Sequence, residues 1–194
     1  MNPNIIVLDL ETKNAFSEVE GGKAQNLGIS VIGTYLYRED KYKIFHEDQI
    51  GELEELLTTK PLLVGFNIKK FDLAVLKPYL KMNPNNLPVL DIMEEFVKVL
   101  GHRVSLDSVA TATLGAGKTG HGLDAIKYFR NSEWEKLEKY CLQDVKITKE
   151  VFEYGANNGE LFYLSKFSKV KSRAPVNWKV ENPEEAMSAQ YSLL

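Results

Sequence analysis

The stretch "NIIVLDLET", residues 4 to 12, constrains this chain most. It is a short apolar run rich in β-branched residues and reads as a buried strand. Side chains alternate along a strand, so Asp9 and Glu11 share one face of the sheet. Strand interiors are poor in acids. Two acids closing a buried strand are therefore hard to explain by packing. The plain alternative is a strand end frayed into water.

A second place raises the same question. In "YCLQDVKIT" (140 to 148), Asp144 lies inside a long helical pattern. At about 100° per residue, Trp134, Leu137, Cys141, Val145, Thr148 and Phe152 form one stripe. Tyr140, Asp144, Ile147 and Val151 form a second stripe beside it. Glu135, Glu138, Lys139, Lys146 and Lys149 point the other way. Asp144 and Tyr140 thus share a face that borders the core, one turn apart. An ionised carboxylate there must find partners or shift its pKa. A salt bridge or a cap to a neighbouring element would be enough for Asp144 alone.

The third place is "LVGFNIKKFDLAVL", where Asn67 follows a buried strand and Asp72 opens the next helix. An acid early in a helix is favoured by the helix dipole, which is explanation enough for Asp72 by itself. Taken together, Asp9, Glu11, Asp72 and Asp144 are four acids from three elements. Such a set suits hard divalent cations, Mg²⁺ or Mn²⁺. Two such ions roughly 4 Å apart can clamp the attacking and leaving oxygens of a phosphodiester.

The elements between these places give the architecture. Strands are expected at 4–12, 28–37, 41–46 and 61–67, with a short one in "LPVLDI". "RED" fits a hairpin turn. Helices are expected over 48–59, over 69–81 as "KKFDLAVLKPYLK", in "IMEEFVKVLG" closing at a glycine, and in "SLDSVATATLG" opening at Ser105. "DAIKYFRN" and a long helix over 132–155 follow. Three sheet-forming strands come first, and strands then alternate with helices. That order predicts an α/β three-layer domain with a mixed, five-stranded sheet flanked by helices.

The 194 residues suit one domain. No apolar run is long enough to span a bilayer, and the N-terminus lacks signal-peptide features. Cys141 is the only cysteine, which excludes an intrachain disulfide and a thiolate zinc cluster and fits a reducing cytoplasm. The net charge of -3 shows no broad basic surface for nucleic acid. One local exception is "KFSKVKSRAPVNWK" (166–179), which carries five cations and no acid. It reads equally as a solvated tail or a phosphate-contacting segment.

These motifs resemble the DEDD 3′–5′ exonuclease superfamily, whose fold is ribonuclease H-like. "LDLET" with Asp9 and Glu11 matches its first motif, "GFNIKKFD" with Asn67 and Asp72 the second, and "YCLQD" with Tyr140 and Asp144 the third. Tyrosine, three residues, then aspartate marks the DEDDy branch, similar to proofreading domains of family-B DNA polymerases and to small helicase-associated exonucleases. The other branch has histidine where this chain has Lys139. The resemblance covers roughly residues 4–155, and places a domain at 1–160 with a basic C-terminal extension at 161–194 packed on it.

The resemblance implies roles. Asp9 would bridge two ions, Glu11 and Asp144 would complete the shell, and Asp72 would bind directly or through water. Tyr140 would orient the attacking water. Thr12 and Asn67 match positions near the 3′-terminal nucleotide. Leu10 and Phe71 would line or wedge the terminal base, although both also read as core. The implied activity is release of nucleoside 5′-monophosphates from the 3′ end of single-stranded nucleic acid, with DNA favoured over RNA. A polymerase or helicase partner is in keeping with the family. The alternative is a nucleic-acid-binding or adaptor module that keeps the fold without catalysis.

Two further signals are weaker. "GAGKTG" (115–120) is not a phosphate-binding loop, because the required first glycine is Ala112. A loop bringing Lys118 and His121 near the substrate backbone fits better. Asp91, between a strand and a helix, is expected to be an N-cap.

Overall fold

The computed structural model describes residues 3–115, 122–165 and 170–178. A five-stranded sheet has the order β3-β2-β1-β4-β5. Strand β1 (Ile5–Thr12) lies at its centre, antiparallel to β2 (Ile29–Leu36) and parallel to β4 (Leu62–Gly65). β3 (Lys41–His46) pairs antiparallel with β2, and β5 (Val89–Asp91) pairs parallel with β4. The sheet is mixed and five-stranded, as the element order predicted.

Alternation along β1 sorts the layers. Ile6, Leu8 and Leu10 face one side, packed with Leu53 and Leu57 of α1 (Ile50–Thr58) and with Leu73 and Leu76 of α2 (Asp72–Leu76). Ile5 and Val7 face the other, packed with α3 (Ile92–Leu100), α4 (Leu106–Leu114) and α6 (Trp134–Asn158). Helix α5 (Gly122–Arg130) joins that second layer, with Ala125 against Val31, Leu137 and Cys141.

Helix α6 presses unusually close to the sheet at Gly33 of β2. A β-carbon built there would sit 2.8 Å from Cys141 Sγ and 2.9 Å from Val145 Cγ2. The register pairs Gly33 with Asp9, so this contact lies directly beside the acidic end of β1. The missing side chain lets one turn of α6 settle onto the strands.

Three boundaries differ from the sequence reading. The helix expected over 69–81 is only α2 and a following 3₁₀ turn at Lys77–Tyr79, because Pro78 has no N–H to continue the ladder. The long helix runs past Gly155 and stops at Gly159, which adopts φ +67°. Gly155 is an interior residue, pressed against the Trp178 indole, where a side chain would not fit. Finally, two strands follow α6 that the sequence reading lacks. β6 (Glu160–Leu164) and β7 (Lys171–Pro175) form an antiparallel pair that packs Leu161 and Ala174 into the core. The other edge of β6 is met by side chains of α4: Ser108 Oγ and Thr113 Oγ1 each bond both backbone groups of Leu164 and Phe162 respectively.

The tight seat at Gly33 predicts the effect of filling it. Gly33→Ala should lower stability by about 1–3 kcal/mol, measured by denaturant unfolding. Gly33→Ala at the stability of the parent would show that the contact has slack.

Candidate active site

Three of the acids singled out by the sequence meet. Ligand oxygens of Asp9, Glu11 and Asp144 all lie within 4.8 Å of one another. Asp9 is half-buried, and Glu11 and Asp144 are buried. Strand alternation supplies the first two, and the seat of α6 over Gly33 brings the third. A register shift between Glu11 and Thr12 ends the regular pairing just beyond them. The nearby Cys141 thiol registers the local field. Its pKa is pushed up, first by burial and then by Asp9, Glu11 and Asp144.

Asp72 reaches the same place from the opposite layer. It stands at the start of α2, buried, and its Oδ1 accepts the backbone N–H of Leu10 at 3.0 Å. It therefore holds the strand between the two acids of β1. Its pKa is raised well above the ordinary range, mainly by burial and then by the charge of Asp9, with the Leu10 amide opposing. It lies outside the 4.8 Å triad of Asp9, Glu11 and Asp144.

The acids open into a cleft of about 400 Å³. Tyr140 and Asp144 line one wall with Leu123 and Ile126 of α5, and Asp9, Leu10, Glu11 and Thr12 form the floor. The opposite wall is Phe71 with the segment after β1, at Asn14, Ala15 and Phe16. The Phe16 and Phe71 rings are 5.9 Å apart. Phe16 and Leu123 stand 50% and 62% exposed at the cleft, a large apolar area left open to water. The segment carrying Phe16 is tied to α5 by Arg130, which donates to both carboxylate oxygens of Glu18 at 2.8 Å.

The candidates divide accordingly. Asp9, Glu11, Tyr140, Asp144, Leu10, Thr12 and Phe71 come together around one cleft, with Asp72 behind Leu10. Asn67 does not line it. Its side-chain Oδ1 accepts from Arg103 Nη2 at 3.0 Å instead. Lys118 and His121 lie outside the described residues, as do Lys166, Lys169 and Lys179 of the basic run. The two described cations of that run are occupied within the hairpin, with Arg173 paired to Glu160 and Lys171 over the Phe162 ring. Asp91 caps α3 as expected and also accepts from the backbone of Asn67 and Lys69. Phe16, Leu123 and Ile126 were not singled out in the sequence. An aromatic residue in the otherwise polar "TKNAFSE" was the one available sign.

Comparison with known proteins assigns the fold to a family. The family model for the RNase_H superfamily matches residues 7–155, and the chain belongs to that superfamily. The solved structure of Trypanosoma brucei RNase D is similar at 16% identity and a TM-score of 0.61, covering 97% of this chain and 64% of that one. The same enzyme in complex with RNA U12 aligns at 16% identity and 0.62, covering 97% and 62%. This chain thus spans under two thirds of those RNase D chains. No curated protein matches it. Among the described residues no helix is long and apolar enough to cross a membrane.

The raised Asp72 carboxyl has a definite consequence for stability. A folded-state pKa above the unfolded value means that the native state holds the proton longer. Stability then falls as pH rises from about 4 toward the raised value. Asp72→Asn keeps an acceptor for Leu10 and removes the charge. In EDTA near neutral pH it should melt about 2–4 °C higher than the parent, corresponding to about 1 kcal/mol. A lower melting temperature would mean that the charge itself is stabilising.

Proposed function

We propose that this protein is a divalent-metal-dependent 3′–5′ exonuclease that releases nucleoside 5′-monophosphates from the ends of single-stranded nucleic acid. The observation that carries the reading is the meeting of Asp9, Glu11 and Asp144 within 4.8 Å at the floor of a nucleotide-sized cleft. Three carboxylates so close repel one another, and hard divalent ions such as Mg²⁺ or Mn²⁺ fit an all-oxygen donor set of this kind. In this reading Asp9, Glu11 and Asp144 would hold two ions, and Asp72 would complete the set from behind Leu10. Bound there, such ions would supply Lewis acidity and activate water near neutral pH.

The remaining roles belong to the chain itself. Tyr140 stands one helical turn before Asp144 on the same face and lines the cleft, so its phenol orients the attacking water. That role needs no depressed tyrosine pKa. Thr12 and the aromatic wall of Phe16 and Phe71 receive the terminal nucleotide, because bases stack on aromatic faces whatever their identity. An unpaired strand end suits a cleft of about 400 Å³ better than a duplex does. DNA is favoured by the resemblance to polymerase proofreading domains. The RNA-bound RNase D, similar in fold, makes RNA the necessary second substrate in any test.

Strands labelled at the 5′ end should shorten stepwise from the 3′ end with Mg²⁺ or Mn²⁺ and remain intact in EDTA. Asp9→Ala and Asp144→Asn should lower the rate by about 10³-fold, and Tyr140→Phe by about 10²-fold. Intact strands of both sugars with undiminished binding would instead make the protein a binding module that keeps the fold without catalysis.

A further inference from the structure

A chain with 24 Lys and Arg against 27 Asp and Glu has no excess of positive charge to offer a polyanion, so the placement of each uncompensated cation matters. There are four arginines. Arg130 is bound to Glu18 and Arg173 to Glu160. Arg38 lies in the turn between β2 and β3, which the register puts beside the start of β1, at the far end of the sheet from Glu11. Arg103 differs from all three. It is exposed and held by neutral acceptors: Nη2 donates to Asn67 Oδ1 at 3.0 Å, and Nε lies 3.0 Å from Met93 Sδ.

Two acids beside its partners Asn67 and Met93 are engaged elsewhere. Asp91 accepts four backbone N–H groups, from Asn67, Lys69, Met93 and Glu94. Glu94 pairs with Lys69 at 2.7 Å. The guanidinium is therefore fixed in position with its charge uncompensated among the described residues. Asn67 is fixed as well. Its backbone takes the left-handed conformation, φ +65°, and its N–H is tied to Asp91 at 2.9 Å. With Oδ1 turned to Arg103, its Nδ2 is left as a donor. Lys70, exposed and without an ion pair among the described residues, precedes Phe71 of the cleft wall.

The location is suitable. β4 is the parallel neighbour of β1, so Asn67, two residues beyond β4, stands at the same end of the sheet as Asp9 and Glu11. Neither Asn67 nor Arg103 lines the cleft itself. We propose that Arg103, together with the Asn67 amide that it orients, binds a backbone phosphodiester of the nucleic-acid strand outside the cleft. A planar guanidinium fixed on one side presents its remaining N–H groups as a fork matched to two phosphate oxygens. Phosphate contacts of this kind set the register of the strand and carry no base preference.

The inference rests on the nucleic-acid reading of the cleft, and one experiment separates the two. Binding of a labelled single strand of about 12 nucleotides is followed by fluorescence anisotropy between about 50 and 200 mM salt. The parent is Asp144→Asn with Mg²⁺, so that the strand survives. Adding Arg103→Ala should weaken binding about five-fold and reduce the slope of log affinity against log salt by about 0.7. Adding Arg103→Lys should keep the slope while losing affinity, because the charge remains and the fork does not. Adding Arg38→Ala should leave the slope unchanged. An Arg103→Ala slope equal to that of the parent overturns this inference alone. A parent that binds neither DNA nor RNA overturns the nucleic-acid reading and this inference together.

Discussion

Three like charges within 4.8 Å do not assemble unaided, and the rest of the architecture depends on what forces them together. The force is packing. Leu137, Cys141, Val145, Thr148 and Phe152 bury one stripe of a 25-residue helix. That burial outweighs the repulsion of one additional acid carried on its flank. The missing side chain at Gly33 brings the helix close enough for Asp144 to reach the acids of β1. The site is thus held in place by apolar contacts that do not belong to it. Here local electrostatic conflict is tolerated because the surrounding structure over-determines the geometry.

The fourth acid shows a different solution. Asp72 comes from the layer on the opposite face of the sheet and meets the site by bonding the backbone of Leu10. The alternation partners of Leu10 on β1, Ile6 and Leu8, pack on that same face, so Leu10 serves two purposes at once. Its side chain is core, and its amide is the anchor for a buried carboxyl. Both layers therefore converge on one strand end. A change in how either layer packs is transmitted directly to the acids.

Much of this was legible in the sequence because the signals were local and periodic. The two-residue spacing in "VLDLET" placed Asp9 and Glu11 on one face, and the 100° rule placed Tyr140 beside Asp144. The five strands followed from short β-branched runs. What escaped was set by contacts distant in sequence. Gly155 resembles a helix terminator until Trp178 is seen packed against it, and only the αL residue Gly159 ends the helix. The strand β6 is a five-residue run directly after the long helix, and β7 carries Lys171, Arg173 and Pro175, so the pair resembles a helix end followed by a basic tail, with Leu161 and Ala174 the only buried positions within them. The orientation of Asn67 could not be read either, since it is decided by Arg103, 36 residues away.

Charge placement joins these observations to the chemistry. Several surface cations among the described residues are neutralised in ion pairs, among them Lys13 with Glu47, Lys43 with Glu52 and Lys69 with Glu94. Exposed pairs of this kind contribute little to stability, but they do remove positive charge from the field that a polyanion would meet. A strand approaching an acidic protein is governed by the cations left uncompensated and by any ions bound among the carboxylates, which reverse the local sign. Net charge is then a poor guide to binding. The informative quantity is whether a fixed cation lacks a carboxylate partner, and at the end of the sheet that carries the acids Arg103 meets that condition among the described residues.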